Sequence, residues 1–446
     1  MLSPDLRQMA RRLRPDGPLR QLIADCKHLL SQRGEASSTQ IAKGIVDQLG
    51  DMLAGAARKD SAQAGLLERF FDHLASDFSP EPTAVLASAQ AYAAKPDAAH
   101  LITLLERTEP PRQELFRRIN RAPGGTSALI RLRRALLERL PRQPAWRALE
   151  ADLLHLLSSW FNPGFLEMRQ VSWRSPAVLL EQIIRHEAVH EIDGWDDLRR
   201  RLLPDRRCFA FFHPQLPEEP LIFVEVALLP EMAGAIAPLI DKKQQPLSPD
   251  QFKVAVFYSI SNCQPGLRGV SLGNFLIKRV ADELKAELPQ LKTFCTLSPI
   301  PGFLPWLLQA ADFATMPGVK ATLAEEMGQA RQLLASACGG ELAALSQKAT
   351  HDKLSKPAQQ ALLRLAALYL VHHSPQPSGD PVARFHLDNG ARLERLNPQG
   401  NLSPKGLKQS AGLMVNYLYD LARIDTHHDR FVHGSVAHAR AIGTLL

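Results

Sequence analysis

Along residues 1–160 the apolar positions recur at helical spacing. Leu22, Ile23, Leu29 and Leu30 form one segment, Leu66, Leu67, Phe70, Phe71 and Leu74 another, and Leu101 to Leu105 a third. Recurrence at i, i+3 and i+4 predicts amphipathic helices, and no stretch of this region alternates as a strand would. Ser79-Pro80-Glu81-Pro82, Pro110-Pro111 and Pro123-Gly124-Gly125 interrupt the pattern, and Asn162-Pro163-Gly164 stops a last helix over Trp146–Phe161. This predicts a helical domain over 1–160 and a second domain over 161–446.

Beyond residue 160 the periodicity changes. Cys208–His213 and Leu221–Leu229 are runs of β-formers joined by the turn-rich Pro214–Pro220, which predicts a hairpin. In Phe252–Ile260 the residues Val254, Val256, Tyr258 and Ile260 alternate as in a strand, and Leu291–Leu297 is a further short strand. Between them Leu276, Val280, Leu284 and Leu288 repeat every four residues before Pro289, the signature of a helix and its end. Val319–Leu345 and Leu354–Val371 are predicted helical. Phe385–Leu396 carries Asp388-Asn389-Gly390, a hairpin turn signal. Strands mixed with helices predict an α/β or α+β catalytic domain behind the helical one.

Composition narrows the class. With 45% hydrophobic and 22% charged residues among 446, the chain reads as globular rather than disordered. Five cysteines without paired spacing argue against a disulfide framework and a zinc ribbon. The start, Met1 to Pro15, is Arg-rich but has no apolar secretory stretch, and Asp5 and Asp16 disfavour a transit peptide. The most apolar window, Phe223–Ile240, is interrupted by Glu225, Pro230, Glu231 and Pro238, so no membrane span is expected. The last residues carry no peroxisomal tripeptide. A cytoplasmic protein is the expectation.

The net charge of +7 is unevenly spread. Residues 1–160 carry +5, and Arg107–Arg147 alone holds 11 arginines against three glutamates. Leu129, Leu132, Leu136 and Leu140 fall at helical spacing among Arg131, Arg133, Arg134 and Arg139. Without aromatic interleaving or a DNA-binding motif, a solvated helix face or subunit contact is preferred to a nucleic-acid patch. No nucleic-acid partner is expected. The nearly neutral second part is expected to hold any phosphate by backbone amides and a few local bases such as Arg268.

Candidate chemistry concentrates in Tyr258–Phe303. A strand runs into Gly266-Leu267-Arg268-Gly269-Val270-Ser271-Leu272-Gly273 and then into a helix. Glycines let backbone amides converge and the helix N-terminus adds partial positive charge, together an anion site suited to a pyrophosphate. Neither the GxGxxG fingerprint nor the P-loop is matched. Arg268–Gly273 comes close to the Q/RxxGxG/A loop of acyl-CoA-binding acetyltransferases, with Ser271 in place of the middle glycine. A structural glycine turn is the plainer alternative. If the strands flanking the helix are parallel, both finish at one sheet edge, where ligands of open α/β sheets gather. Loop 261–273 and Ser298-Pro299-Ile300-Pro301-Gly302 would then share a crevice, although Ser298 alone reads as a turn serine.

His186-Glu187-Ala188-Val189-His190 is a literal HExxH. A zinc peptidase would place both imidazoles on one helix face with Glu187 as base. The metzincin continuation would need Gly at 193 and His at 196, where Asp193 and Asp196 stand; a distant acid such as Glu218 would have to serve as third ligand. No metal is expected.

Several stretches in order resemble the malonyl-CoA decarboxylase family. They are WFNPGFL at 160–166, HEAVH at 186–190, RRCFAFFH at 206–213, FYSISN at 257–262, GLRGVSLGNFLIKRV at 266–280, LSPIPGF at 297–303, FHLDNGARLERLN at 385–397 and GLMVNY at 412–417. The resemblance implies an N-terminal all-helical domain used in oligomer assembly, a homo-oligomer built as a tetramer, a dimer of dimers. It also implies a mixed-sheet catalytic domain of GNAT (acetyltransferase) type, and conversion of malonyl-CoA to acetyl-CoA and carbon dioxide without metal or organic cofactor. The catalytic pair it implies is Ser298 and His386. The CoA-contacting loop falls on Arg268, Gly269, Val270, Ser271, Leu272, Gly273 and Asn274.

The chemistry suits those residue types. Loss of carbon dioxide from a β-carboxy thioester leaves an enolate, so the site must stabilise oxyanion charge and deliver a proton to carbon. A histidine titrating near neutral pH is a natural donor. His386 is therefore expected to protonate the enolate carbon, with Ser298 hydrogen-bonding the malonyl carboxylate or relaying a proton. An acyl-CoA acyltransferase using the same loop, and a non-catalytic acyl-CoA sensor, are the alternatives.

Overall fold

The computed structural model describes residues 16–58, 61–270, 272, 276–309 and 312–446. Met1 to Pro15, on which the targeting reading rests, and Ser271, Gly273 and Asn274 of the glycine loop lie outside the described residues. Two compact units are present: the described residues up to Leu166 with His213–Pro217 and 264–270, and the remainder of the chain.

The first unit is built from helices, among them Gly17–Ser31, Glu35–Ala57, Ser61–Ser76, Pro111–Arg121, Gly125–Arg139 and Arg147–Trp160. Except for Glu35–Ala57, they end a few residues before a proline or glycine. Leu22, Ile45, Phe71, Leu115, Leu136 and Leu153 are buried in one core, each side chain stabilising the fold by about 1.5–3 kcal/mol. Two helices, Pro82–Ala94 and Ala98–Thr108, bury nothing, although Glu81 and Asp97 cap their first turns.

The arginine-rich region is largely consumed inside this unit. Arg112, Arg117, Arg118, Arg133, Arg134 and Arg139 each pair with a carboxylate. Arg133, 1% exposed, also reaches the glycine loop. It donates to the carbonyls of Gly266 and Arg268 at 2.7 and 2.8 Å while bonded to Glu150. The charge therefore has a bearing on the loop that its helical setting did not suggest.

The second unit carries an eight-stranded mixed sheet. The strands are β1 (Glu167–Val171), β2 (Arg206–Phe212), β3 (Ile222–Leu229), β4 (Val254–Asn262), β5 (Thr293–Thr296), β6 (Ser298–Pro299), β7 (Arg392–Asn397) and β8 (Met414–Leu418). Their order is β1-β2-β3-β4-β5-β8-β6, with β7 also on β8. The fold is thus α + β. The expected β2–β3 hairpin is antiparallel, and β4 and β5 are parallel around the helix Leu276–Glu287. β4 pairs with β5 only from Val254 to Phe257. A bulge at Tyr258, between the pairs Val226–Phe257 and Glu225–Ser259, marks where the two strands part.

One expectation is overturned. Asp388-Asn389-Gly390 is not a hairpin turn. Pro381–Asp388 is a helix, capped by Asp380 at its start, and Gly390 at φ 74° ends it before β7. Asn-Gly serves helix C-termini as well as hairpins, because both require left-handed backbone. HEAVH, where no metal is expected, does not lie on one continuous helix. The helix Ala177–His186 stops at its first histidine. Glu187 is buried, accepting from the Val189 and His190 amides and from the Ser259 and Ser261 hydroxyls. The two imidazoles therefore share no helix face.

Candidate active site

Ser298 stands where β5 gives way to β6, and the trans prolines at 299 and 301 stiffen the chain after it. Its Oγ lies 3.0 Å from His386 Nε2 and donates to Thr296 Oγ1 at 2.9 Å. His386 comes from the helix Pro381–Asp388. Its Nδ1 is 2.8 Å from the Tyr419 hydroxyl, and its ring stacks on Tyr417 with centroids 4.6 Å apart. Both tyrosines lie at or just after β8. Since the single Ser298 proton points to Thr296, the neutral imidazole carries its proton on Nε2 and accepts at Nδ1 from Tyr419.

Burial dominates the electrostatics. It pushes the His386 pKa down from 6.5 to about 3 and the Tyr419 and Tyr417 hydroxyls far up. The pair opens on a cavity of about 280 Å³. Ile222, Phe257, Ile260, Val382 and Phe385 supply apolar wall, Ser259 and Asn262 are polar, and His386 is the sole ionisable group besides Tyr258 among the described lining residues.

A profile of the malonyl-CoA decarboxylase C-terminal domain matches residues 164–446, and one of the N-terminal domain of the same enzyme matches 78–161. The chain belongs to the malonyl-CoA decarboxylase family. The mitochondrial malonyl-CoA decarboxylase of Anser anser anser is 36% identical over 359 residues, covering 76% of this chain and 69% of that protein. The Mus musculus protein is 39% identical over 335 residues, covering 70% and 66%. The chain therefore spans about two thirds of the length of these curated relatives. Among solved structures, malonyl-CoA decarboxylase from Rhodopseudomonas palustris superposes with TM-score 0.81 at 44% identity, covering 96% of this chain and 99% of that one. The Agrobacterium vitis protein gives 0.80 at 44%, covering 95% and 99%.

Within the family frame, the structure brings Ser298 and His386 together across 88 positions of sequence. Of the loop residues, Arg268 is exposed, Gly269 takes φ 84°, and Val270 is buried; all three belong to the first unit, and the buried Leu272 belongs to the second. A Cβ on Gly266 would sit 2.1 Å from the Ile130 carbonyl oxygen, so glycine is required for that close approach. Sequence reasoning missed Tyr419 and Thr296, which hold the pair. The available signal was weak: Thr296 is two residues before Ser298, and Tyr419 closes the apolar run after Gly412.

Proposed function

We propose that Ser298 and His386 are the reacting pair of this decarboxylase and that the 280 Å³ cavity receives the malonyl group. The chain is a carboxy-lyase acting on malonyl-CoA, as its family membership and relatives establish. The observation that carries the proposal is the 3.0 Å contact of Ser298 Oγ with His386 Nε2 in a largely apolar wall.

The pKa of His386 corrects one premise. The buried imidazole is neutral rather than poised near pH 7, because burial disfavours its charge. A malonyl carboxylate entering the cavity supplies the missing counter-charge, so the histidine takes up a proton as the substrate binds. The bond from C2 to the carboxyl carbon then breaks, its electron pair passing into the thioester as an enolate, and carbon dioxide leaves. Departure of the carboxylate removes the charge that favoured the imidazolium. The Nε2 proton moves to C2, directly or through Ser298 Oγ, giving acetyl-CoA and neutral His386. Because Nε2 already bears a proton, the one taken up lands on Nδ1, where the Tyr419 hydroxyl turns from donating to accepting and keeps Nε2 toward the substrate.

The proposal extends to four further features. The acetyltransferase-type fold is supported by the parting of β4 and β5 after Phe257, beyond which Tyr258, Ser259, Ile260 and Asn262 line the cavity. The stretch Arg268–Asn274 is assigned to the CoA phosphates, on the strength of the Arg133 brace at the Arg268 carbonyl and the motif it carries. Homo-oligomer assembly is assigned to the helical unit, whose helices Pro82–Ala94 and Ala98–Thr108 expose Leu86, Ile102 and Leu105. A cytoplasmic setting suits five unpaired cysteines, four of them buried. Among the described residues no helix is long and apolar enough to cross a membrane.

Incubation with malonyl-CoA alone, without an acyl acceptor, tests the pair. Wild type releases acetyl-CoA and carbon dioxide, while His386→Ala and Ser298→Ala lose about 100-fold or more in kcat and keep acetyl-CoA binding. Full turnover in both variants would exclude the pair.

A further inference from the structure

Asp380 lies outside the contacts of Ser298 and His386, yet it bonds to the elements that carry both. Its carboxylate is 1% exposed. Oδ1 accepts from the Val382 and Ala383 amides, each at 3.0 Å, which caps the helix bearing His386. Oδ2 accepts from the Gly302 amide at 2.9 Å and from the Tyr369 hydroxyl at 3.4 Å. Gly302 closes the turn Ser298-Pro299-Ile300-Pro301-Gly302. One oxygen therefore serves the histidine's helix and the other the serine's turn.

The cavity wall is divided along the same line. Ser298 and Pro299 belong to the turn, and Pro381, Val382, Phe385 and His386 to the helix. Gly302 approaches this junction as closely as a backbone can. A Cβ there would lie 2.2 Å from the Tyr369 hydroxyl oxygen and 3.4 Å from Asp380 Oδ2. The prolines at 299 and 301 limit how far the turn can relax, so a shift at Gly302 is transmitted to Ser298.

We propose that Asp380 is a positioning residue for decarboxylation, a two-sided carboxylate clamp that fixes the reach of Ser298 to His386. It touches neither substrate nor the reacting atoms. This inference rests on the assignment of Ser298 and His386 given above. A proton donor displaced by about 1 Å can cost on the order of 100-fold in rate, whereas CoA binding does not depend on that distance.

Asp380→Ser isolates the clamp, because serine is a good N-cap but cannot also reach Gly302. The expected result is a kcat lower by about 10- to 100-fold, with the Kd for acetyl-CoA within about threefold of wild type. Asp380→Asn, which keeps one carbonyl oxygen at the junction, recovers part of the loss. An independent pair of variants leaves position 380 intact. Gly302→Ala drives the turn against Tyr369 and lowers kcat; adding Tyr369→Phe removes the colliding hydroxyl and restores most of it. A kcat per folded enzyme within about twofold of wild type in D380S, with only the melting temperature lowered, overturns the clamp. So does the absence of rescue in G302A/Y369F. His386→Ala and Ser298→Ala run alongside separate the two levels: full turnover in these overturns the pair itself, and the clamp with it.

Discussion

His386 illustrates how burial sets a side chain's duty. Its folded pKa of about 3 lies below the ordinary 6.5, and His190, buried beside β4, is lowered to about 3 for the same reason. For each group the unfolded chain binds a proton as pH falls through 6.5, while the folded protein does not until about 3. The unfolded state thus holds more protons throughout this window, so stability is retained above about pH 6.5 and lost as pH falls toward 3. Each histidine contributes a slope of about 1.4 kcal/mol per pH unit. Denaturant unfolding between pH 6.5 and 4.5 should show a steep loss in wild type and a shallower one in His386→Gln. Parallel curves for the two proteins would mean that His386 is protonated in the folded chain. Nothing in the sequence announced this shift, since pattern and spacing carry no information about how deeply one imidazole is buried. The expectation of a histidine titrating near neutrality failed for that reason.

At the scale of elements, local signals were sufficient where one interaction dominates. The β2–β3 hairpin, the strands β4 and β5 and the helix Leu276–Glu287 follow from alternation, four-residue spacing and a terminal proline, while the parallel pairing of β4 with β5 was only a condition at that level. They failed where two structures share a signal, as at Asn389-Gly390, although Asp380-Pro381 was a readable helix start. At HEAVH the helix stops at His186, because identity of letters does not fix helical continuation. The placing of Ser298 beside His386 was legible only through the family resemblance, because it depends on strand β8 and long-range pairing. Arg133 was read as one of a basic series and proves to be a brace. Its guanidinium joins Glu150, Gly266 and Arg268 within the first unit. Arg133→Met should cost about 3–5 kcal/mol, because it strands a partly buried carboxylate and two carbonyls. If the loop holds CoA phosphates, KM for malonyl-CoA rises more than kcat falls. Adding Glu150→Leu should recover part of the stability and none of the KM; recovery of both would detach the loop from substrate binding.

For the molecule as a whole, the net charge of +7 poses the question of what the helical unit meets. A polyanion is disfavoured by the ion pairs that occupy six of the arginines of Arg107–Arg147. The apolar surface points elsewhere. Pro82–Ala94 and Ala98–Thr108 are capped and well-formed, yet they bury no residue, and Leu86, Ile102 and Leu105 are 59%, 56% and 60% exposed. Several large apolar side chains on one helical pair are costly to leave in water, and on this ground we propose the pair as an association surface. A second copy of the chain fits the assembly that the family resemblance implies, and a symmetric contact would bring each patch against its equivalent. Leu86→Glu, Ile102→Lys and Leu105→Glu combined should weaken self-association by at least about 10-fold, as loss of buried interface anchors does. Light scattering across a dilution series reads the effect as a fall in mass, with circular dichroism showing that the helices persist. A folded triple variant that retains the wild-type mass at every concentration would remove this helical pair from the interface.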